Sequence, residues 1–186
     1  MTLVFLLEEQ SAKEMIQGIL PRLLPSEIHT KFIIFEGKSD LEKRLQLKIK
    51  GWQTPDSYFV VLRDQDSGDC EVIKQNLVAK CKNAGREDTL VRIACHELES
   101  WYLGDLGAVE KGLKIKLQQS QTSTKFRNPD LLANAAEELE KITKKLYQKV
   151  GGSRDIAPHL NIAANTSISF NMFIRGIQTL VEKYRS

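Results

Sequence analysis

The chain has 186 residues, of which 41% are hydrophobic and 27% charged, and its formal net charge is +3. This length is enough for one sizeable core, and the composition is ordinary for a globular domain, which excludes a disordered or fibrous chain. The apolar run at residues 3–7 is too short to span a membrane, and no basic segment precedes it. We therefore expect a cytoplasmic protein with no signal peptide and no membrane contact. The three cysteines lack the close pairing of a zinc site and are interpreted as reduced thiols.

Four short runs rich in β-branched and aromatic residues predict buried strands at residues 3–7, 31–35, 58–62 and 90–94. The segments between them have the apolar spacing of helices. The order β-α-β-α-β-α-β is typical of an α/β fold, and it predicts a parallel sheet of about four strands flanked by helices. We expect residues 1–110 to form this core and residues 111–186 to form a helical extension packed on it.

After residue 94 only helical patterns follow. They predict helices at residues 97–109, 131–150 and 170–184. Gly151-Gly152 is interpreted as the stop of the second helix, and Ser169 as the N-cap of the third. Polar residues predict a loop at 118–128, and a further irregular stretch is expected at 151–169.

Acidic residues follow the predicted strands, which is where an open parallel sheet binds its ligands. Glu8 follows the first strand, Asp64 and Asp66 the third, and Glu97 and Glu99 the fourth. Carboxylates gathered at one edge repel each other unless a cation neutralises them, and hard oxygen ligands suit Mg²⁺ or Mn²⁺. The pattern therefore predicts a metal site. Each residue also has an ordinary alternative, because aspartate is common in turns and glutamate is common at the surface.

The roles within this site are assigned as a hypothesis. Glu8, Asp64 and Asp66 are predicted to hold the first ion, and Glu97 or Glu99 to complete its shell or hold a second one. Two positions correspond to about 200° on a helix, so both glutamates can serve only if one precedes the regular helix start. Glu97 is the favoured of the two. The predicted catalytic set is Glu8, Asp64, Asp66 and Glu97.

Two other motifs near this edge fail. The run Gly37-Lys38-Ser39 resembles the end of a phosphate-binding loop, but the required first glycine is replaced by Phe32. Lys38 remains a candidate for contact with a substrate phosphate. His96 lacks the spacing of a zinc-protease motif and is interpreted as structural.

Basic residues concentrate in a different part of the chain. Residues 111–154 contain ten Lys or Arg and four Asp or Glu, a local charge of +6. This segment predicts a surface for a polyanion, and its Lys125, Arg127 and Arg154 are candidate substrate-binding residues together with Lys38. The alternative is an ordinary solvated helix surface.

The acidic motifs resemble those of the Toprim domain, found in primases, topoisomerases and overcoming-lysogenization-defect nucleases. Residues 7–11 resemble its first motif, although Glu9 replaces the glycine that usually follows the glutamate, and residues 62–66 resemble its Asp-x-Asp motif. More closely, nearly the whole chain resembles an uncharacterised bacterial Toprim-like family, domain of unknown function 4276. The resemblance is carried by the strings that begin at Phe5, Glu36, Val61 and Arg92 and by residues 152–170.

This resemblance implies a Mg²⁺- or Mn²⁺-dependent nuclease that acts in phage defence with an ATPase partner. Nucleic acid is the expected substrate, and a homodimer is left open. A receiver-like signalling module is a second hypothesis, but a receiver needs a fifth strand that ends in lysine. A third hypothesis is a non-catalytic module that keeps its metal site for regulation.

Overall fold

The computed structural model describes residues 1–185, and four strands form where the sequence predicts them. They are β1 (Thr2–Leu7), β2 (His29–Ile34), β3 (Ser57–Asp64) and β4 (Leu90–Ala94). The predicted bounds agree with the observed ones to within two residues at each end. Short runs of apolar and β-branched residues suit a strand buried on both faces, and β1 and β3 are buried in this way. The prediction of a buried strand is wrong for β2, which lies at the edge of the sheet with exposed or half-buried residues.

All four strands are parallel, in the order β2-β1-β3-β4. In this register Leu7 lies opposite Ile34 on one side and Leu62 on the other, and Asp64 lies opposite Ala94. The residues that follow the strands therefore leave the sheet from one shared edge, which we call the carboxyl edge.

Helices α1 (Gln10–Ile19), α2 (Lys38–Lys50) and α3 (Cys70–Asn83) connect the strands. Helix α1 packs on one face of the sheet, and α2 and α3 pack on the other. Side chains of β1 alternate between these two cores: Leu3, Phe5 and Leu7 join the first, and Val4 and Leu6 the second. The prediction of an α/β fold with a four-stranded parallel sheet is confirmed.

The second half of the chain is helical. Its helices are α4 (Glu99–Leu103), α5 (Leu106–Leu113), α6 (Ala135–Ile142), α7 (Lys149–Ile156) and α8 (Ile168–Arg185). Short 3-10 turns lie at Leu20–Arg22, Pro129–Leu131 and Ala157–His159. The predicted loop at 118–128 contains no helix or strand. The division between core and extension at residue 110 stays a prediction, and α5 spans this position.

The single helix predicted at residues 97–109 is wrong, because the chain breaks between α4 and α5. The carboxylate of Asp105 accepts a hydrogen bond from Ala108 N at 3.0 Å and caps α5. A Cβ on Gly104 would collide with the side chain of Asn165, whose Nδ2 donates to Trp101 O at 2.9 Å. Both short helices bury residues in the same core, so their apolar spacing conceals the break.

The helix predicted at residues 131–150 is also wrong. It begins only at Ala135, ends at Ile142 and is followed by Lys144 and Lys145 in the left-handed region, at φ 51° and 63°. Leu146 points outward, with 58% of its surface exposed. Gly151 and Gly152 do not stop a helix but lie inside α7, so the predicted irregular stretch at 151–169 is helical at its start. Gly152 is there because a Cβ would collide with the ring of Tyr147.

The third C-terminal helix forms, but Ser169 is not its N-cap. Helix α8 begins at Ile168, and the Ser167 hydroxyl accepts a hydrogen bond from Phe170 N at 3.1 Å. The Ser169 N–H instead donates to Asp130 Oδ2 at 2.7 Å, and its hydroxyl accepts from Trp101 Nε1 at 2.7 Å. Asp130 therefore places an acidic group at the start of α8, where the helix dipole favours it.

The C-terminal helices complete the core on the α1 face. Helix α7 packs on α1 and α5, and α8 packs on β4. Arg92 of β4 donates from Nε to Met172 O of α8 at 3.0 Å. Across residues 1–185 we find no helix that is both long and apolar enough to cross a bilayer.

The contact between α5 and α7 leads to a stability prediction. A Cβ at Gly112 would lie 2.6 Å from both Asp155 O and Ile156 Cα, which are backbone atoms that cannot give way. We expect Gly112→Ala to lower the free energy of unfolding by about 1–3 kcal/mol. Gly151→Ala is the control, because nothing lies within 4 Å of its Cβ position, and alanine should stabilise α7 by up to about 1 kcal/mol. Urea melts of both variants measure this, and equal effects would contradict the packing.

Candidate metal centre at the carboxyl edge

Three neighbouring loops meet at the carboxyl edge. Glu8 and Glu9 lie between β1 and α1, Asp64 ends β3, and Glu97 and Glu99 lie between β4 and the body of α4. Because β1, β3 and β4 are adjacent and parallel, these acidic residues share one side of the sheet. The predicted convergence of acidic strand ends therefore has a structural basis.

Asp64 and Glu99 form the buried centre of this group. Burial raises the pKa of Asp64 well above its usual value, and the negative charges of Glu99, Glu8 and Glu9 raise it further. None of the described lysine or arginine side chains lies within ion-pair distance of Asp64. Glu99 is only 1% exposed, and burial also raises its pKa. The centre therefore holds more negative charge than its surroundings compensate.

Glu8 lies beside Asp64. Its Oε2 accepts a hydrogen bond from the backbone N–H of Asp64 at 3.2 Å and is 4.0 Å from Arg63 Nε. Burial raises the pKa of Glu8, and the charge of Asp66 contributes in the same direction. Arg63 is itself buried, and its Nε and Nη1 have no hydrogen-bond partner. Glu8 is therefore held at the edge of the centre without a full ion pair.

Asp66 is held by its backbone. Both Asp66 and His96 adopt positive φ, at 53° and 57°, which is uncommon outside glycine. The Asp66 N–H donates to His96 O at 2.7 Å, and His96 Nδ1 lies 3.1 Å from Asp66 O. The Asp66 carboxylate forms an ion pair with Lys38 Nζ at 2.8 Å. Lys38 therefore lies at the carboxyl edge, beside one of the candidate ligands.

Glu97 and Glu99 differ in what they bind. Helix α4 begins at Glu99, so Glu97 precedes it, as joint use of the two residues requires. Glu97 Oε2 accepts a hydrogen bond from Ala136 N at 2.8 Å and occupies the start of α6. Glu99 Oε1 accepts from the Tyr147 hydroxyl at 2.8 Å, and its charge raises the pKa of Asp64. The role of Glu97 stays a prediction. Of the two glutamates, Glu99 is the one whose charge raises the pKa of Asp64.

Four residues of this region were not among the predicted site residues: Glu9, Lys149, Tyr102 and Tyr147. Glu9 adds a fourth carboxylate to the centre and forms an ion pair with Lys149 Nζ at 2.8 Å. Tyr102 and Tyr147 line its buried side, with ring centroids 5.9 Å apart. The sequence carried no signal for Lys149 in the centre, because the predicted helix at residues 131–150 placed it in a last turn, where the helix dipole favours a cation. Only the structure shows that a helix begins at Lys149.

The other predicted basic residues have local partners or face solvent. Lys125 Nζ forms an ion pair with Glu138. Arg154 Nε is 2.7 Å from Glu14 Oε2, which joins α7 to α1. Arg127 is exposed. Lys125 and Arg154 are thus largely neutralised where they lie.

The donor chemistry of the centre fits a hard divalent cation. Glu8, Glu9, Asp64 and Glu99 offer carboxylate oxygens. Burial raises the pKa values of Glu8, Asp64 and Glu99, repulsion from neighbouring carboxylates raises them further, and a bound cation would offset both effects. Within residues 1–185, no three His, Cys, Asp or Glu side chains are already arranged around one point as metal ligands. Binding would therefore require side-chain rotations, chiefly of the residues that are now bonded to Lys149 and Arg63.

A comparison with models of protein families finds a match over most of the chain. The family model described as Domain of unknown function (DUF4276) matches residues 7–178. The chain belongs to this family. The match includes every acidic residue of the centre, and it includes α6 and α7, which contact Glu97 and Glu9. Searches of curated proteins and of solved structures found no match.

The raised pKa of Asp64 leads to a pH-dependent prediction. A carboxyl whose pKa is raised in the folded state binds more protons there than in the unfolded chain, so its contribution to stability falls as pH rises. Without metal, Asp64→Asn should therefore melt higher than the wild type near neutral pH. The expected difference is at least about 2–4 °C, which corresponds to 1 kcal/mol at this chain length.

The difference should disappear below the ordinary aspartate pKa, where Asp64 is protonated in both states. Thermal melts in EDTA from about pH 3 to about pH 8 measure it. Asp155→Asn, on the exposed side of α7, is the matched control and should show no such trend. A variant at Asp64 that is less stable at every pH would contradict the repulsion.

Proposed function

We propose that the protein is a Mg²⁺- or Mn²⁺-dependent phosphodiester hydrolase, a nuclease. One observation carries this proposal: Glu8, Asp64 and Glu99 converge at the carboxyl edge with raised pKa values and without full compensation of charge. Such a group of oxygens is stabilised by a divalent cation, and phosphodiester hydrolysis is the chemistry that such ions support in proteins. A kinship with the Toprim domain belongs to the same proposal, and a glutamate after β1 and an Asp-x-Asp motif at the end of β3 support it.

The roles follow from position. A bound ion would polarise a phosphoryl oxygen and lower the pKa of an attacking water. Asp64 and Glu99 are the proposed central ligands, and Glu8 would turn from the Asp64 N–H toward the ion. Asp66 would complete the set after it exchanges Lys38 for the cation. Lys38, which is half exposed, would then be available to a phosphate oxygen of the substrate.

Nucleic acid is the proposed substrate, because an acidic centre requires positive charge beside it to hold a polyanion. Segment 111–154 provides a local charge of +6, and its exposed Arg127 has no ion pair to a described carboxylate. The pairing of Lys125 with Glu138 and of Arg154 with Glu14 reduces what those residues contribute.

An ATPase partner and a role in phage defence rest on family resemblance alone. A non-catalytic regulatory module that keeps the metal site is the second candidate. A receiver-like module lacks support, because the described sheet has four strands and its last strand is covered by α8.

The central test is cleavage of plasmid and of single-stranded oligonucleotides with Mg²⁺ or Mn²⁺. Asp64→Asn and Glu99→Gln should each lower the cleavage rate by about 100-fold or more. Glu97→Gln is the matched control, because its amide oxygen can still accept the Ala136 N–H. If Glu97→Gln alone abolished cleavage, Glu97 would replace Glu99 in the centre. Mn²⁺ binding without cleavage would support the regulatory module.

Salt dependence tests the nucleic-acid proposal. If Arg127 contacts a phosphate, Arg127→Glu should weaken oligonucleotide binding and reduce the slope of log K against log salt by about 0.7–0.9. Lys31→Glu makes the same change of charge on the exposed β2 edge, outside the basic segment, and should leave the slope unchanged. Fluorescence anisotropy in a salt series measures both. Equal slopes in both variants and the wild type would remove Arg127 from the substrate surface.

A further inference from the structure

Lys149 occupies a position that helix electrostatics disfavours. It is the first residue of α7, where the helix dipole is positive, and no acidic residue of the helix itself lies in this first turn. Its side chain is about half exposed, at 52%, so it had room to turn into water. Instead it points into the acidic group. The position therefore requires an explanation outside the helix.

The acidic group supplies that explanation. Lys149 Nζ is 2.8 Å from Glu9 Oε2, and the charges of Glu99 and Asp64 also act on it. In return, the charge of Lys149 lowers the pKa of Glu99, opposite to the effect of burial. Lys149 therefore binds Glu9 directly and interacts with Glu99 and Asp64 through its charge.

The buried side of the same group has an unfilled hydrogen-bonding position. The Tyr102 side chain is fully buried, and its hydroxyl has no hydrogen-bond partner. The Ser153 hydroxyl lies beside it but forms no hydrogen bond of good geometry with it. Burial raises the pKa of Tyr102, and the negative charges of Glu99, Asp64 and Glu9 raise it further. A buried unpaired hydroxyl costs about 1–3 kcal/mol, so it indicates a ligand or a water that the group accommodates.

We propose that the Lys149 ammonium is the stand-in cation of the metal-free protein, and that a divalent cation binds among Glu9, Asp64 and Glu99 by displacing it. This inference rests on the proposed metal-dependent function. It assigns Glu9 and Lys149 to the centre, in addition to the predicted residues. Lys149 then competes with the metal, because both neutralise the same carboxylates.

A simpler account makes the Lys149–Glu9 pair an ordinary bridge between α7 and α1. The pair Arg154–Glu14 joins the same two helices, with a distance of 2.7 Å, and Arg154 is not among the groups that act on Asp64 or Glu99. Variants at Arg154 therefore show the effect of losing a bridge between the helices, and variants at Lys149 show in addition the effect of losing a competing cation. Loss of either bridge should destabilise the protein by a similar small amount.

The test is calorimetric titration of the full chain with Mn²⁺, for the wild type and for Lys149→Met, Lys149→Arg and Arg154→Met. The Lys149→Met variant lacks the competing charge, so its Kd for Mn²⁺ should be about tenfold lower than that of the wild type. Lys149→Arg keeps the charge and should resemble the wild type, as should Arg154→Met. The Mn²⁺-induced rise in melting temperature should likewise be larger for Lys149→Met than for Arg154→Met.

The outcomes separate the two proposals. Unchanged or weaker Mn²⁺ binding by Lys149→Met, with normal binding by the wild type, overturns the stand-in role and leaves the proposed function intact. No Mn²⁺ binding by any of the four proteins overturns both. Binding by Lys149→Met alone supports both, since it shows that the ammonium excludes the ion.

Discussion

Repulsion between carboxylates is the constraint around which this fold is organised. Parallel pairing of β1, β3 and β4 brings their following loops to one edge, and each loop carries acidic residues. The sheet cannot keep this register without gathering negative charge. The surrounding structure then meets the charge in different ways: Arg63 lies near Glu8, Lys38 binds Asp66, and Lys149 binds Glu9. Asp64 and Glu99 form no ion pair among the described residues, and burial raises the pKa of both.

The C-terminal helices matter to the centre because they complete it. Tyr147 and Lys149 come from the turn before α7 and from its first residue, and they reach Glu99 and Glu9. Helix α7 can approach α5 so closely because Gly112 has no side chain, and Gly152 leaves room for the ring of Tyr147. The acidic strand ends alone would leave Glu99 buried without its hydrogen bond from Tyr147. Both halves of the chain therefore contribute residues to this acidic group.

The sequence predicts local features well and long-range contacts poorly. Strands and acidic strand ends were predictable because apolar runs and the loops after them are local patterns. The breaks at Gly104 and after Ile142 were not, since α4 and α5 keep one apolar spacing and Gly151-Gly152 resembled a helix stop. The pair of Glu9 with Lys149 joins residues far apart in the chain, and no periodicity can indicate such a contact. The sequence favoured Glu97 over Glu99, and no local pattern could show that the fold brings α6 to Glu97 and Tyr147 to Glu99.

Two left-handed residues, Asp66 and His96, fasten the loop after β3 to the loop after β4 through reciprocal bonds of their backbones and the imidazole. The loops are therefore mechanically one piece. A ligand that pulls on the Asp66 carboxylate also pulls on the chain that leads directly into α4, which carries Glu99. A shift of Asp66 would therefore be coupled to a shift of Glu99, although the two residues follow different strands.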